Sequence, residues 1–141
     1  MAETVQFDLV SPERRLASVS AREVQIPGAE GDLTAMADHA PLITTLRPGI
    51  VRVTGAEGTQ DYVVTGGFAE ISGETVSVLA ERAVAREDLT REDFKSMVDE
   101  ATERLAHARE HRADEEGIVD ELAKLLHDMV TMGEELGHSA H

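Results

Sequence analysis

The sequence has no cysteine and no tryptophan, and its 141 residues include only three Phe and one Tyr. Without thiols, disulfide scaffolds, thiolate zinc sites and cysteine nucleophiles are excluded together. With so few rings, a stacking surface for sugars or bases is not expected. Positive charge is also short: 13 Lys and Arg stand against 28 Asp and Glu, a net charge of −15. Such a chain repels nucleic-acid phosphates and anionic headgroups alike, so neither nucleic acid nor direct lipid insertion is expected. No uncharged apolar run approaches the roughly 18 residues of a spanning helix. The opening MAETVQFDLV lacks the basic and apolar regions of a signal peptide, so the simple expectation is a soluble chain on the cytosolic side. A chain of this length buries about 68–70% of its unfolded surface and needs no cross-link for stability.

What is present divides into two halves with different periods. Up to Arg86 the chain reads as short strands: Val5, Phe7 and Leu9 alternate with polar residues, as do Val24 and Ile26, and Val51 and Val53. Tyr62 to Val64, Phe68 to Ile71 and Val76 to Leu79 follow, split by Gly55 to Gly58, Gly66-Gly67 and Ser72-Gly73-Glu74. β-branched runs with Gly or Pro turns at such spacing predict eight to ten short strands in a β-sandwich. Gly66-Gly67 predicts a bulge or a positive-φ turn.

After Glu87 the apolar period changes. Phe94, Met97, Val98, Ala101, Leu105 and Ala108 form one helical stripe, and Ile118, Leu122, Leu125, Met129 and Met132 form another. Thr90 followed by Asp93 reads as a capping box with the usual Glu shortened. Gly133 is read as the closing cap of the second helix. The bend of this antiparallel two-helix hairpin is expected near Glu110 to Ala113, and the tail after Gly133 is expected to fray. The domains are therefore 1–86, a sandwich, and 87–141, a hairpin. The first carries a net charge of −5 and the second −10. Two stripes of this size bury too little to hold 45 or so residues alone, so the hairpin must lean on the sandwich or on a partner.

Catalytic constellations are thin. His107-Ala108-Arg109-Glu110-His111 matches the spacing H-x-x-E-H, but a zinc site needs a third ligand and a closed pocket. The run instead falls at a solvated helix end, and His138 with His141 is at most a weak metal-scavenging pair. Asp38-His39 reads as a turn acid beside a structural or contact His, because no nucleophile is placed with it. Gly28-Ala29-Glu30-Gly31 lacks the Lys of a phosphate loop, and Glu30 and Asp32 would repel phosphate. No catalytic residue, cofactor or metal is assigned.

The richest stretch in rigid corners is PGAEGDLTAMADHAPLITTLRPG, residues 27–49. Taken with Phe7-Asp8-Leu9-Val10-Ser11-Pro12-Glu13, Gly66-Gly67-Phe68-Ala69-Glu70-Ile71 and Val78-Leu79-Ala80, it resembles the ε subunit of F-type ATP synthase, the counterpart of the mitochondrial δ subunit. The likeness runs in order through nearly all of residues 5–89. The resemblance implies a ten-stranded β-sandwich followed by a helix–turn–helix. It implies a non-catalytic central-stalk subunit of the rotor, bound to the γ subunit and the c-ring at the cytoplasmic face of a bacterial membrane. Such a subunit couples proton-driven rotation to ATP synthesis. Its hairpin can dock on the sandwich, or extend along γ toward the catalytic α and β subunits and inhibit ATP hydrolysis. By the same resemblance Glu30 and Asp32 meet the c-ring and His39 meets γ, and Gly31, Ala40 and Pro41 beside them are further expected partner-contact residues. Rigid corners suit this role, since Pro fixes φ and Gly permits tight bends.

The likeness fades in the helices. Where some relatives bind ATP through Leu/Ile-Asp-x-x-Arg-Ala, this chain has Leu89-Thr90-Arg91-Glu92-Asp93-Phe94, with an acid where the phosphate-binding cation stands, so no ATP site is expected. Inhibitory relatives carry bases on the second helix. Here Lys124 is the only Lys or Arg between Asp114 and Met132, against six acids, so inhibition is expected to be weak. The other reading of the residues is an unrelated acidic sandwich adaptor whose hairpin captures a basic partner.

Overall fold

A computed structural model describes residues 3–137. Contacts divide the chain into two compact units between Asp88 and Leu89. The first unit is a sandwich of ten strands. They are β1 (Val5–Val10), β2 (Arg15–Ala21), β3 (Glu23–Gly28), β4 (Gly31–Met36), β5 (Leu42–Thr45), β6 (Gly49–Gly55), β7 (Gly58–Val64), β8 (Gly67–Ile71), β9 (Thr75–Ala80) and β10 (Ala83–Ala85). One sheet has the order β2-β1-β9-β8-β5 and the other β10-β7-β6-β3-β4. All pairings are antiparallel except β1 with β9. That parallel pair seats the first strand beside the ninth.

The period-two pattern sets the register. Val5, Phe7 and Leu9 point inward with Val76 and Val78 beside them; Val24, Ile26, Val51 and Val53 face them from the other sheet, all at most 4% exposed. The rings of Phe7 and Tyr62 meet between the sheets at 6.3 Å. Burial of these side chains at about 1.5–3 kcal/mol each is the main force holding the layers together. Gly67 takes φ +112, and a methyl there would lie 2.0 Å from the carbonyl oxygen of Leu79. Gly66-Gly67 is thus a positive-φ turn into β8, as its sequence suggests.

Six of the strands are those whose Val and Ile alternation is visible. β2, β4, β5 and β10 are additional. The 27–49 segment is consequently less of a loop than its corners suggest: Pro27 lies inside β3, and β4 and β5 occupy ten of the remaining positions. Pro27 is tolerated because Asp32 is its register partner near the strand end, where the β3–β6 ladder has stopped at Gln25.

In the second unit, α1 (Arg91–His111) and α2 (Ile118–Leu136) form the hairpin. Thr90 Oγ1 accepts the Asp93 N–H at 3.0 Å, and Asp93 receives the Thr90 N–H at 3.4 Å, completing the capping box. The six stripe residues of α1 are all buried, with Leu105 and Ala108 packed on Leu122. Two boundaries differ from expectation. α1 runs through His111, and the bend occupies 112–117, where Arg112 and Glu115 pair at 2.7 Å. Gly133 does not end α2: it is buried inside the helix, which continues through Glu134, Glu135 and Leu136. Gly137, at φ +78, provides the left-handed cap instead. The His138 and His141 pair lies outside the described residues.

Candidate partner-contact surfaces

The expected contact residues lie in two groups at opposite ends of β4. At its start, the chain from β3 turns at Ala29-Glu30 into Gly31 and Asp32, all three of the expected residues being exposed. This corner is laced to the rest of the 27–49 segment. The Arg47 N–H donates to Pro27 at 3.0 Å, the Ala29 N–H to Thr45 at 2.9 Å, and the Leu46 N–H to Gly67 at 2.9 Å. The first two bonds fasten the end of the β3–β4 hairpin, in one sheet, to the end of β5 in the other, and the third continues the β5–β8 pairing. The Arg47 guanidinium completes the corner, donating to the Gly28 carbonyl and pairing with the Asp32 carboxylate. Asp32 nevertheless keeps 76% of its side chain exposed. It presents a carboxylate already shared with a cation, next to the Glu30 carboxylate, which has no ion-pair partner among the described residues.

At the far end of β4 stand His39, Ala40 and Pro41. Gly31 and Asp32 open β4, so four strand residues, Leu33 to Met36, and the Ala37-Asp38 turn separate the groups, roughly 15 Å along the strand. Asp38 adopts φ +64, a conformation costly for a residue with a Cβ. Its N–H donates to the Gly73 carbonyl at 2.9 Å, and the next N–H, of His39, donates to Met36 at 3.2 Å. His39 Nδ1 lies 2.6 Å from the Ala40 carbonyl oxygen. The structure therefore does not gather the expected residues into one site; it sets them at two stiffened corners of the same sandwich.

Residues 4–86 match the family model described as the ATP synthase delta/epsilon chain, β-sandwich domain. The chain belongs to the ATP synthase ε family. A protein of Ruegeria sp. (strain TM1040) named ATP synthase epsilon chain is 56% identical over 133 residues, covering 94% of this chain and 96% of that protein. The epsilon chain of Fuscovulum blasticum is 67% identical over 102 residues, 72% of this chain and 78% of its own. Among solved structures, a chain of the Euglena gracilis mitochondrial ATP synthase (OSCP/F1/c-ring) superposes with a TM-score of 0.69 at 20% identity, covering 98% of this chain and 83% of that one. The last of these is a likeness of fold.

For an ε-family sandwich, two further features bear on contact, and neither was anticipated. Register places Val10, Leu79, Phe68 and Thr45 in one row across the outer face of the first sheet, with Ile43 beside Glu70 in the next row. Ile43 is 70% exposed, Phe68 47% and Leu79 42%. A signal was available: Ala69 and Ile71 share the buried face, which turns Phe68 outward with Glu70. The second feature is Asp61. Its carboxylate takes two bonds from Arg52, at 2.8 and 3.1 Å, and one from Arg86 at 3.0 Å, with 14% of the side chain exposed. The Arg52 hydrogen bond foremost, with Arg86, holds its carboxyl below the ordinary carboxylate value against the opposing effect of burial. Arg86 opens a single 3-10 turn, 86–88, so this pair pins the last turn of the first unit to β7.

In the helical unit, Thr90 and Asp93 are spent on the capping box, and Glu92 adds negative charge beside them. The rings of His107 and His111 meet at 4.6 Å between centres, tilted by 44°, on the exposed side of α1, with Glu110 3.6 Å from His111 Nε2. Among the described residues no cluster of three or more His, Cys, Asp or Glu side chains is placed to hold a metal ion. No helix among them is long and apolar enough to cross a membrane.

Proposed function

We propose that this chain is a non-catalytic rotor subunit, joining the γ subunit to the c-ring so that proton-driven rotation of the ring reaches the catalytic subunits. The observation that carries the reading is the placement of two stiff corners, roughly 15 Å apart, at the ends of β4. One bears Glu30, Gly31 and Asp32; the other bears His39, Ala40 and Pro41. A part that transmits torque must hold two partners at once without yielding between them. The Ala29 bond to Thr45 and the Arg47 bond to Pro27, which tie the end of the β3–β4 hairpin to the end of β5, give that stiffness at the first corner. The carboxylate corner faces the polar loops of the c-ring, and the His39 corner, continuous in sequence with exposed Leu42 and Ile43, faces γ. The work is done at the cytoplasmic side of the energy-converting membrane, with attachment through the complex alone.

The hairpin has neither the cation needed to hold ATP nor the basic second helix needed to approach acidic catalytic loops, so it acts as at most a weak brake. The test is association. Tagged chain mixed with γ and detergent-solubilised c-ring recovers both on this reading. Retention of neither, under conditions where γ and the ring bind one another, would overturn it.

A further inference from the structure

We infer that His39 offers its partner a hydrogen-bond acceptor, and that the γ surface meeting it supplies an N–H or O–H donor there; this rests on the γ assignment made above. The argument begins with the 2.6 Å contact between His39 Nδ1 and the Ala40 carbonyl oxygen. A carbonyl has no proton to give, so the proton lies on Nδ1. A neutral imidazole carries only one ring proton, which leaves Nε2 with a bare lone pair. Nδ1 is turned back onto the chain, so Nε2, across the ring, is directed away from it. Among the described residues nothing hydrogen-bonds to Nε2.

The direction of that lone pair is set before any partner arrives. The backbone on the N-terminal side is held by the Asp38 N–H on Gly73, at 2.9 Å, and by the His39 N–H on Met36, at 3.2 Å. On the C-terminal side the acceptor of the Nδ1 bond is itself followed by Pro41, whose ring limits φ. The residues after it, Ala40, Pro41, Leu42 and Ile43, are exposed and have no polar side-chain atom. A lone acceptor at the margin of an apolar stretch is a specificity device. Covering it with a surface that donates costs little, whereas covering it with an apolar surface strands a desolvated nitrogen.

Two measurements test this. In the free full-length protein at pH 8, a two-bond 15N–1H spectrum of the imidazole rings shows His39 with unprotonated Nε2 and protonated Nδ1; the opposite tautomer overturns the inference. For γ binding, three variants separate the two ring edges. His39→Gln places an acceptor near the Nε2 position, His39→Asn reproduces only the Nδ1 donor, and His39→Phe has neither. The Gln variant binds γ within about twofold of wild type, and the Asn and Phe variants bind roughly five- to tenfold more weakly. Asn binding as well as or better than Gln overturns the inference. Wild-type protein that fails to bind γ at all overturns the γ assignment instead, a result the tautomer spectrum does not affect.

Discussion

A methyl group placed on Gly49 would stand 2.7 Å from Cβ of Pro27. These residues belong to the two Pro-Gly pairs that bound the 27–49 segment, and Pro27, Gly28 and Pro48 are all buried. The segment is thus closed at its neck by packing, in addition to the Arg47 to Pro27 backbone bond. Gly49→Ala forces the proline or the start of β6 to move. It should destabilise the protein by about 1–3 kcal/mol, read as a lower urea midpoint with unchanged slope. An unchanged midpoint would show that the neck is loose.

Gly67→Ala should be worse. The residue is at φ +112, and its added methyl would overlap the Leu79 carbonyl at 2.0 Å. Steric overlap with backbone in a paired strand adds to the strain of the left-handed region. We expect a loss of more than about 3 kcal/mol, seen as failure to fold or a large drop in melting temperature. A variant as stable as wild type would place β8 differently against β9.

Asp61→Asn weakens the hold of Arg52 and Arg86 on the carboxylate. Both arginines are open to solvent, so the expected loss at pH 7 is about 1–2 kcal/mol. The sign of the pH dependence follows from the lowered value of the native carboxyl. The charged form is favoured in the folded protein. Its contribution is therefore complete above the unfolded value near 3.9 and disappears as pH falls through the lower, native one. Denaturation curves of wild type and Asp61→Asn should differ equally at pH 7 and pH 5 and converge below about pH 4. A gap that widens in acid would refute the assignment.

Asp32→Arg breaks a solvent-exposed pair and sets two guanidinium groups side by side. The fold should survive, because such pairs contribute about 0–1 kcal/mol. If the carboxylate corner meets the c-ring, ATP-driven proton pumping per ATP hydrolysed falls several-fold in vesicles carrying the variant, while assembly persists. Pumping at the wild-type ratio would remove Asp32 from that interface.

Deleting residues 89–141 at the break between the two units should leave γ binding within about threefold and ATP hydrolysis by the assembled complex within about twofold of wild type. A large rise in hydrolysis would reveal a brake that the charge of α2 argues against.

The strands legible in advance were those with Val and Ile at alternate positions, since period-two burial writes itself into residue choice. β2 escaped notice because its buried positions are Ala17 and Ala21 among serines, too small to mark a face. β4 and β5 were hidden by the turn residues around them. The helical stripes were readable residue by residue, but the end of α2 was not. Gly133 and Gly137 are alike locally, and only packing tells which one lies inside the helix. The contact surfaces were legible as segments and not as chemistry. Nothing local announces that Arg47 reaches back fifteen positions to Asp32, or that Asp61 draws Arg52 and Arg86 from opposite directions.

The side-by-side seating of β1 and β9 has a consequence during synthesis. Sixty-odd residues separate the end of one from the start of the other, so at about 5–20 residues per second the ribosome runs for several seconds before β1 gains its second neighbour. Throughout that interval a strand destined for the middle of a sheet has an open, apolar margin, the kind that recruits other nascent chains. Quality-control factors that shield emerging polypeptides therefore have a defined window on this one, closing once Ala80 has cleared the exit tunnel.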